Sequence, residues 1–247
     1  MTISPGEITA LAGIAVLGSI VFGITGFGAA LVTIPLATHM VSLPFALALF
    51  ALMDLANAFR IGFENPKRAL RAEWTRMVPT ILLGTVAGVT LLVNLPRQAA
   101  TVALGVFVLG FALYSLMRHP ASYALISTRW AYLAGFAGGI TSTLFGAGGP
   151  PYAIYLSQRG LTKDQFRATM GFATITSISL RVVAFLLTGL LLDSQVWLAA
   201  AAVVPAAFLG LAAARRVYLR ISREALMRAV GVMLLASGGS LVFRALG

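Results

Sequence analysis

Cysteine is absent from this chain, which excludes disulfides, thiol nucleophiles and thiolate metal sites. Charge is scarce: 10% of the 247 residues are Asp, Glu, Lys or Arg, where a soluble domain carries about 25%. Acid is the scarcer sign, with seven Asp and Glu against 18 Lys and Arg, and histidine occurs twice, at His39 and His119. Both histidines read as boundary residues, and without clustered ligands no metal site is expected. No polar block is long enough for a separate soluble domain. The N-terminal MTISPGE has no basic n-region, so no cleavable signal peptide is expected. A phosphate-binding GxxxxGKS/T loop is missing, which excludes ATP hydrolysis by this chain, and no cofactor is expected. Nor does an aromatic-basic patch accompany the formal charge of +11, so nucleic acid is not expected as a partner.

What is present is apolar surface. Hydrophobic residues make up 59% of the chain and its mean hydropathy is +0.93, the composition of an integral membrane protein whose first partner is the lipid bilayer. Apolar segments lie near 8–40, 43–62, 76–94, 98–117, 130–158, 166–190, 195–213 and 225–243, separated by short polar breaks. Six have ordinary spanning length, about 20 residues. The other two, 8–40 and 130–158, are too long for one span and are interrupted by glycine. They are related: GITGFGAALVTIP (23–35) resembles GITSTLFGAGGPP (139–151), and in the helices that follow Phe45 falls on Phe166 and Arg60 on Arg181 at one constant offset. The chain therefore reads as one membrane domain, 1–247, with a first repeat over 1–120 and a second over 121–247.

Loop charge decides what the broken segments do. If both cross the membrane, eight spans result and the basic loop residues divide seven against nine, with no orientation signal. If each is a re-entrant hairpin, fourteen of them share one face and only Arg97 and Arg244 lie on the other, a strong positive-inside bias. The expected fold is all-α and polytopic: two inverted repeats, each a re-entrant helical hairpin plus three transmembrane helices, with both termini outside and basic loops cytoplasmic. Trp74, Trp130 and Trp197 sit at span ends as interfacial anchors.

Irregular backbone at membrane depth is tolerated only where protein buries it or water reaches it. In the second motif Gly138, Gly139, Gly146, Gly148 and Gly149 permit positive φ and close approach. Pro150 and Pro151 suit the first turn of an outgoing half-helix near 151–158, which would aim free N–H groups and its dipole at the membrane centre. That is an anion site, and Thr141, Ser142 and Thr143 add hydroxyls beside it. The first motif offers Gly23, Gly26 and Gly28 with Thr25, less emphatically. Serine and threonine also simply back-bond to their own helices in membranes. Arg181, deep in TMGFATITSISLRVVAFLLTG, is costly unless it faces a cavity or a partner. A bound anion, a structural pair with Asp54 and snorkelling to the interface are the candidates. Its repeat mate Arg60 lies near a helix end, where snorkelling is an alternative. Asp54 and Asn57 lie one turn apart, and the Asp54 carboxylate could carry H+, ligate Na+ or neutralise an arginine. The binding set is thus Thr25, Gly26, Gly28, Thr141, Ser142, Thr143, Gly146, Gly148, Gly149, Pro150 and Arg181, with Asp54, Asn57 and Arg60 for gating or ion coupling.

The paired GITGFG and GITSTLFGAGGPP elements, over essentially the whole chain, resemble the TauE/SafE sulfite-exporter family of membrane permeases. The first repeat departs in lacking GGPP and keeping only Pro35. The resemblance implies secondary transport of a small sulfur-containing anion (a sulfonate, sulfoacetate or sulfite) by alternating access, in the bacterial inner membrane. An anion channel would suit the same charges. An intramembrane serine hydrolase fits poorly, since GxSxG is absent and no histidine is in reach. A homodimer is the natural assembly to test for so small a permease.

Overall fold

In the computed structural model, residues 3–63, 66–117, 125–220, 231–232, 235–236, 238–240 and 243 are described. The described chain is helical, with no strand among those residues: α1 (Pro5–Thr25), α2 (Ala29–Ala37), α3 (Leu43–Gly62), α4 (Arg71–Asn94), α5 (Arg97–Met117), α6 (Trp130–Phe145), α7 (Gly149–Ser157), α8 (Lys163–Leu187) and α9 (Ser194–Arg220). More than half of the expected last segment, 225–243, lies outside the described residues, as do Arg118, His119, Arg223, Arg228 and Arg244.

Local chemistry sets the helix ends. Ser4 and Glu7 form a capping box in front of α1, with Pro5 in its first turn, and Thr162 and Gln165 do the same for α8. Five helices (α1, α3, α4, α8 and α9) are long and apolar enough to cross a membrane, and α5 carries a shorter apolar run, Gln98–Tyr114. Outward-facing Leu82, Leu83, Leu187 and Leu209 are exposed, as lipid-facing residues are. The centre is α3: 67% of its apolar length is buried, against 33% for α1 and for α4.

The two long segments break where glycine predicts, but into unequal halves. Segment 8–40 becomes α1, 21 residues and itself of spanning length, followed by α2 with nine. Segment 130–158 becomes α6 with 16 residues and α7 with nine. Each short helix runs back along the long one: Gly18 of α1 opposes Thr33 of α2, and Gly138 of α6 opposes Tyr152 of α7, one pair across each break. The N–H of Ile126, before α6, donates to the carbonyl of Gln158, after α7, at 3.3 Å, so this segment ends where it began.

Packing exchanges elements between the halves. The two most extensive helix pairings are α4 along α6 and α1 along α9. Small residues allow the close approach: Gly84 of α4 meets Phe136 and Gly139 of α6, and Gly210 of α9 meets the Val16 backbone of α1. The central contact is α3 against α8.

Candidate functional site

The breaks are turns that need glycine. Gly26 and Gly28 have φ of +81° and +88°, and Gly146 has +72°, a region where a side chain is strained. The Gly26 N–H closes α1 on the Phe22 carbonyl at 2.7 Å, and the Gly146 N–H closes α6 on Ser142 at 2.9 Å. The tips touch: a Cβ on Gly149 would lie 2.6 Å from the Cβ of Phe27. From them α2 and α7 start with no side-chain cap, so their first N–H groups and the positive ends of their dipoles converge. Proline at 150 and 151 removes two donors at α7, which leaves that end fewer N–H groups than α2 has.

Between the tips lies a cavity of about 20 Å³, room for about one water. Phe27, Gly28, Ala29 and Ala30 line it from the first tip, and Gly146 to Gly149 from the second. Its polar walls come from Ser142, Tyr152, Thr174, Ser177 and Asp54. Tyr152 donates its hydroxyl to Ser177 Oγ at 3.0 Å, while the hydroxyl of Thr174 is buried with no partner among the described residues.

Behind this wall sits an ion pair. Arg181, 1% exposed, donates Nη2 to Asp54 Oδ2 at 2.9 Å and Nη1 to the Ser142 carbonyl at 3.0 Å. Asp54 Oδ1 and Arg181 Nε are buried without a hydrogen-bond partner among the described residues. Asp54 lines the cavity; Arg181 is not among its lining residues. One turn along α3, Asn57 donates to Ser19 Oγ at 2.8 Å and leaves its own Oδ1 unpartnered.

Of the residues singled out from sequence, Gly28, Ser142, Gly146, Gly148, Gly149 and Asp54 meet at the cavity, with Arg181 tied to two of them. Thr25, Gly26, Thr141, Thr143 and Pro150 belong to the same tips without lining it. The hydroxyls of Thr25, Thr141 and Thr143 donate to Val21, Ala137 and Gly139 carbonyls at 2.8, 2.9 and 2.9 Å, the back-bonding threonine makes in apolar helices. Gly23, Gly138 and Gly139 are helical packing glycines rather than tip residues; Gly23 faces Leu211 and Ala214 of α9. Arg60 is exposed, its guanidinium 5.9 Å from the Phe208 ring centroid, at the helix end where snorkelling is natural. Trp130 and Trp197 are about half exposed at span starts, whereas Trp74 donates its indole N–H to Thr176 at 2.9 Å.

Sequence reasoning missed a second charged cluster, at the open end of the α6–α7 segment. Glu73 of α4 accepts from Arg159 Nε at 3.1 Å and Nη2 at 2.9 Å, from Arg76 at 3.4 Å and from the Tyr155 hydroxyl. Arg159 Nη1 donates to the Ile126 carbonyl, and the bonds to Glu73 hold its guanidinium above its ordinary pKa. The available signal was the four-residue spacing of Tyr155, in the last turn of α7, and Arg159, in the turn that follows it.

A sequence model of the family described as Sulfite exporter TauE/SafE matches residues 11–241. The chain is 24% identical over 197 residues to the "Probable inner membrane transporter protein TsaS" of Comamonas testosteroni, an alignment covering 78% of this chain and 81% of that protein. No solved structure matches it.

Proposed function

The chain belongs to the sulfite exporter TauE/SafE family, and we propose that it is a secondary transporter of a small sulfur-containing anion, a sulfonate, sulfoacetate or sulfite. The observation that carries this reading is the convergence of both glycine tips, with two uncapped helix N-termini, on one cavity at the centre of an apolar helical protein. Backbone N–H groups at Gly28–Ala30 and at Gly148 and Gly149, the hydroxyls beside them and the cation of Arg181 would hold the oxyanion. Pro150 fixes the outgoing helix; Thr25, Gly26, Thr141 and Thr143 shape the tips.

The broken segments act as re-entrant hairpins within two inverted repeats, the first over 1–120 and the second over 121–247. The bond between Ile126 and Gln158 supports this for the second, and the recurring helix order and exchanged packing support it for the pair. A cavity of about 20 Å³ is too small for a sulfonate, so the halves must part to admit one. Alternating access does this, one repeat rocking against the other around a central site. Asp54 and Asn57 then serve gating or ion coupling, with Arg60 at the membrane boundary. The name of the Comamonas relative supports placement in the inner membrane.

A thermal-shift screen of the purified protein against sulfite, methanesulfonate, taurine and sulfoacetate, with sulfate and carboxylates as controls, tests the substrate class. Stabilisation by sulfur oxyanions and saturable counterflow in proteoliposomes are expected. No stabilisation by any of them overturns the substrate class, and conductance far above carrier turnover would make the protein a channel.

A further inference from the structure

An anion that enters the cavity between the tips meets a carboxylate first. Asp54 lines that cavity while Arg181 lies outside its lining, with Nη2 on Asp54 and Nη1 on the Ser142 carbonyl. With Asp54 ionised, the buried pair is neutral and complete, and one added anion leaves the site with a net charge of −1. An unbalanced charge far from water costs several kcal/mol, so the pair as it stands rejects the substrate its surroundings are built to attract.

We propose that anion binding and protonation of Asp54 are one coupled event, so that each monoanion is bound and carried with one proton. The inference rests on the reading of the chain as an anion carrier. The proton has a place to go: Asp54 Oδ1 is buried and receives no hydrogen bond from the described residues, whereas Oδ2 holds Arg181. A proton on Oδ1 leaves the Oδ2 contact in place, turns a repelling oxygen into an O–H donor, and frees the positive charge of Arg181 to balance the substrate. The cavity, also lined by Ser142, Ser177 and Thr174, has room for one water, which would link that oxygen to solvent when the site opens.

Among the described residues no other ionisable group competes for this role. Of the elements packed on α3, α8 presents Arg181, while α2 and α6 contain no charged residue. On α1 the one acid, Glu7, is bonded to Ser4 in the first turn, and on α9 charge begins only at Arg215. Arg60, later on α3 itself, is exposed over Phe208. Tyr152 of α7 shares the cavity and spends its proton on Ser177. Coupling of this kind is reciprocal: the anion must raise the proton affinity of Asp54 by the factor that the proton raises the anion's affinity.

The experiment uses methanesulfonate, which stays a monoanion at every pH used, with purified full-length protein titrated calorimetrically between pH 5.5 and 8.5 in buffers of differing ionisation enthalpy. Expected for the wild type is uptake of one proton per anion, with affinity falling about tenfold per pH unit on the alkaline side. Asp54→Asn, which keeps the shape and supplies a neutral donor, is expected to bind with no proton uptake and an affinity flat across the range. Binding without proton uptake by the wild type, a requirement for Na+ instead, or undiminished pH dependence in Asp54→Asn each overturns the inference and leaves the transport reading standing. If Asp54→Asn fails to fold, the wild-type proton count decides alone. If none of the sulfur anions binds at any pH, the transport reading falls and takes this one with it.

Discussion

A single arginine 1% exposed in the middle of α8 is tolerable only because its charge is met at 2.9 Å by Asp54. That arrangement gives Arg181 a structural role beside the anion-binding role proposed for it, and the two separate by mutation. Arg181→Ala leaves the Asp54 carboxylate buried and unpaired, which costs about 3–5 kcal/mol. The variant is expected to melt far below the wild type in detergent. The double variant Asp54→Leu/Arg181→Met replaces the pair with apolar volume, which is often neutral or stabilising. It is expected to recover most of the melting temperature while methanesulfonate no longer shifts it. Should the double variant still bind methanesulfonate, Arg181 holds helices together and contributes nothing to the anion.

At the scale of helices, the α6–α7 element is held at two ends by different chemistry. Its tip is fixed by Gly146 and by Phe27 of the opposite tip, and its open end by Glu73 through Arg159 and Tyr155. Tyr155→Phe removes one buried donor at Glu73 and is expected to cost about 1 kcal/mol. Glu73→Gln removes the charge that fixes Arg159, costs roughly 1.5–3 kcal/mol, and should speed hydrogen exchange at the Ile126 amide, which bridges to Gln158. Unchanged exchange at Ile126 in Glu73→Gln would show that the glycine tip alone holds the element. The same two ends show what a sequence discloses. Gly26, Gly28 and Gly146 were legible because positive φ within an apolar run leaves glycine as the natural residue. Gly23 and Gly138 were not told apart from them, because close helix packing asks for the same residue and local pattern cannot distinguish the two demands. Arg181 and Asp54 stood out because charge is rare at membrane depth. Glu73 did not: an acid in the first turn of a helix is ordinary, and its partners lie 82 and 86 residues away. Tyr152 and Ser177, 25 residues apart, meet only because α7 folds back onto α6 beside α8.

For the whole molecule, the same hydropathy profile supports two topologies, six spans with two fold-backs or eight spans. They differ in a quantity that chemistry can read from outside. The absence of cysteine makes the chain its own blank, since each engineered thiol is the only one present. Ser127 and Lys163 flank the α6–α7 segment and both are exposed. In the fold-back topology they share the basic face, and the Ile126–Gln158 bond between their neighbours supports that placement; in the eight-span topology they lie on opposite faces. Asn94 and Asp193, exposed at the end of α4 and the start of α9, belong to the other face in the fold-back topology. Single variants Ser127→Cys and Lys163→Cys should therefore react with a membrane-impermeant maleimide in inside-out vesicles and stay unlabelled in intact cells. Asn94→Cys and Asp193→Cys should show the reverse. Labelling of Ser127→Cys and Lys163→Cys from opposite sides would establish the eight-span arrangement. It would also remove the charge asymmetry, because the fourteen-to-two division of basic residues exists only if the glycine segments turn back.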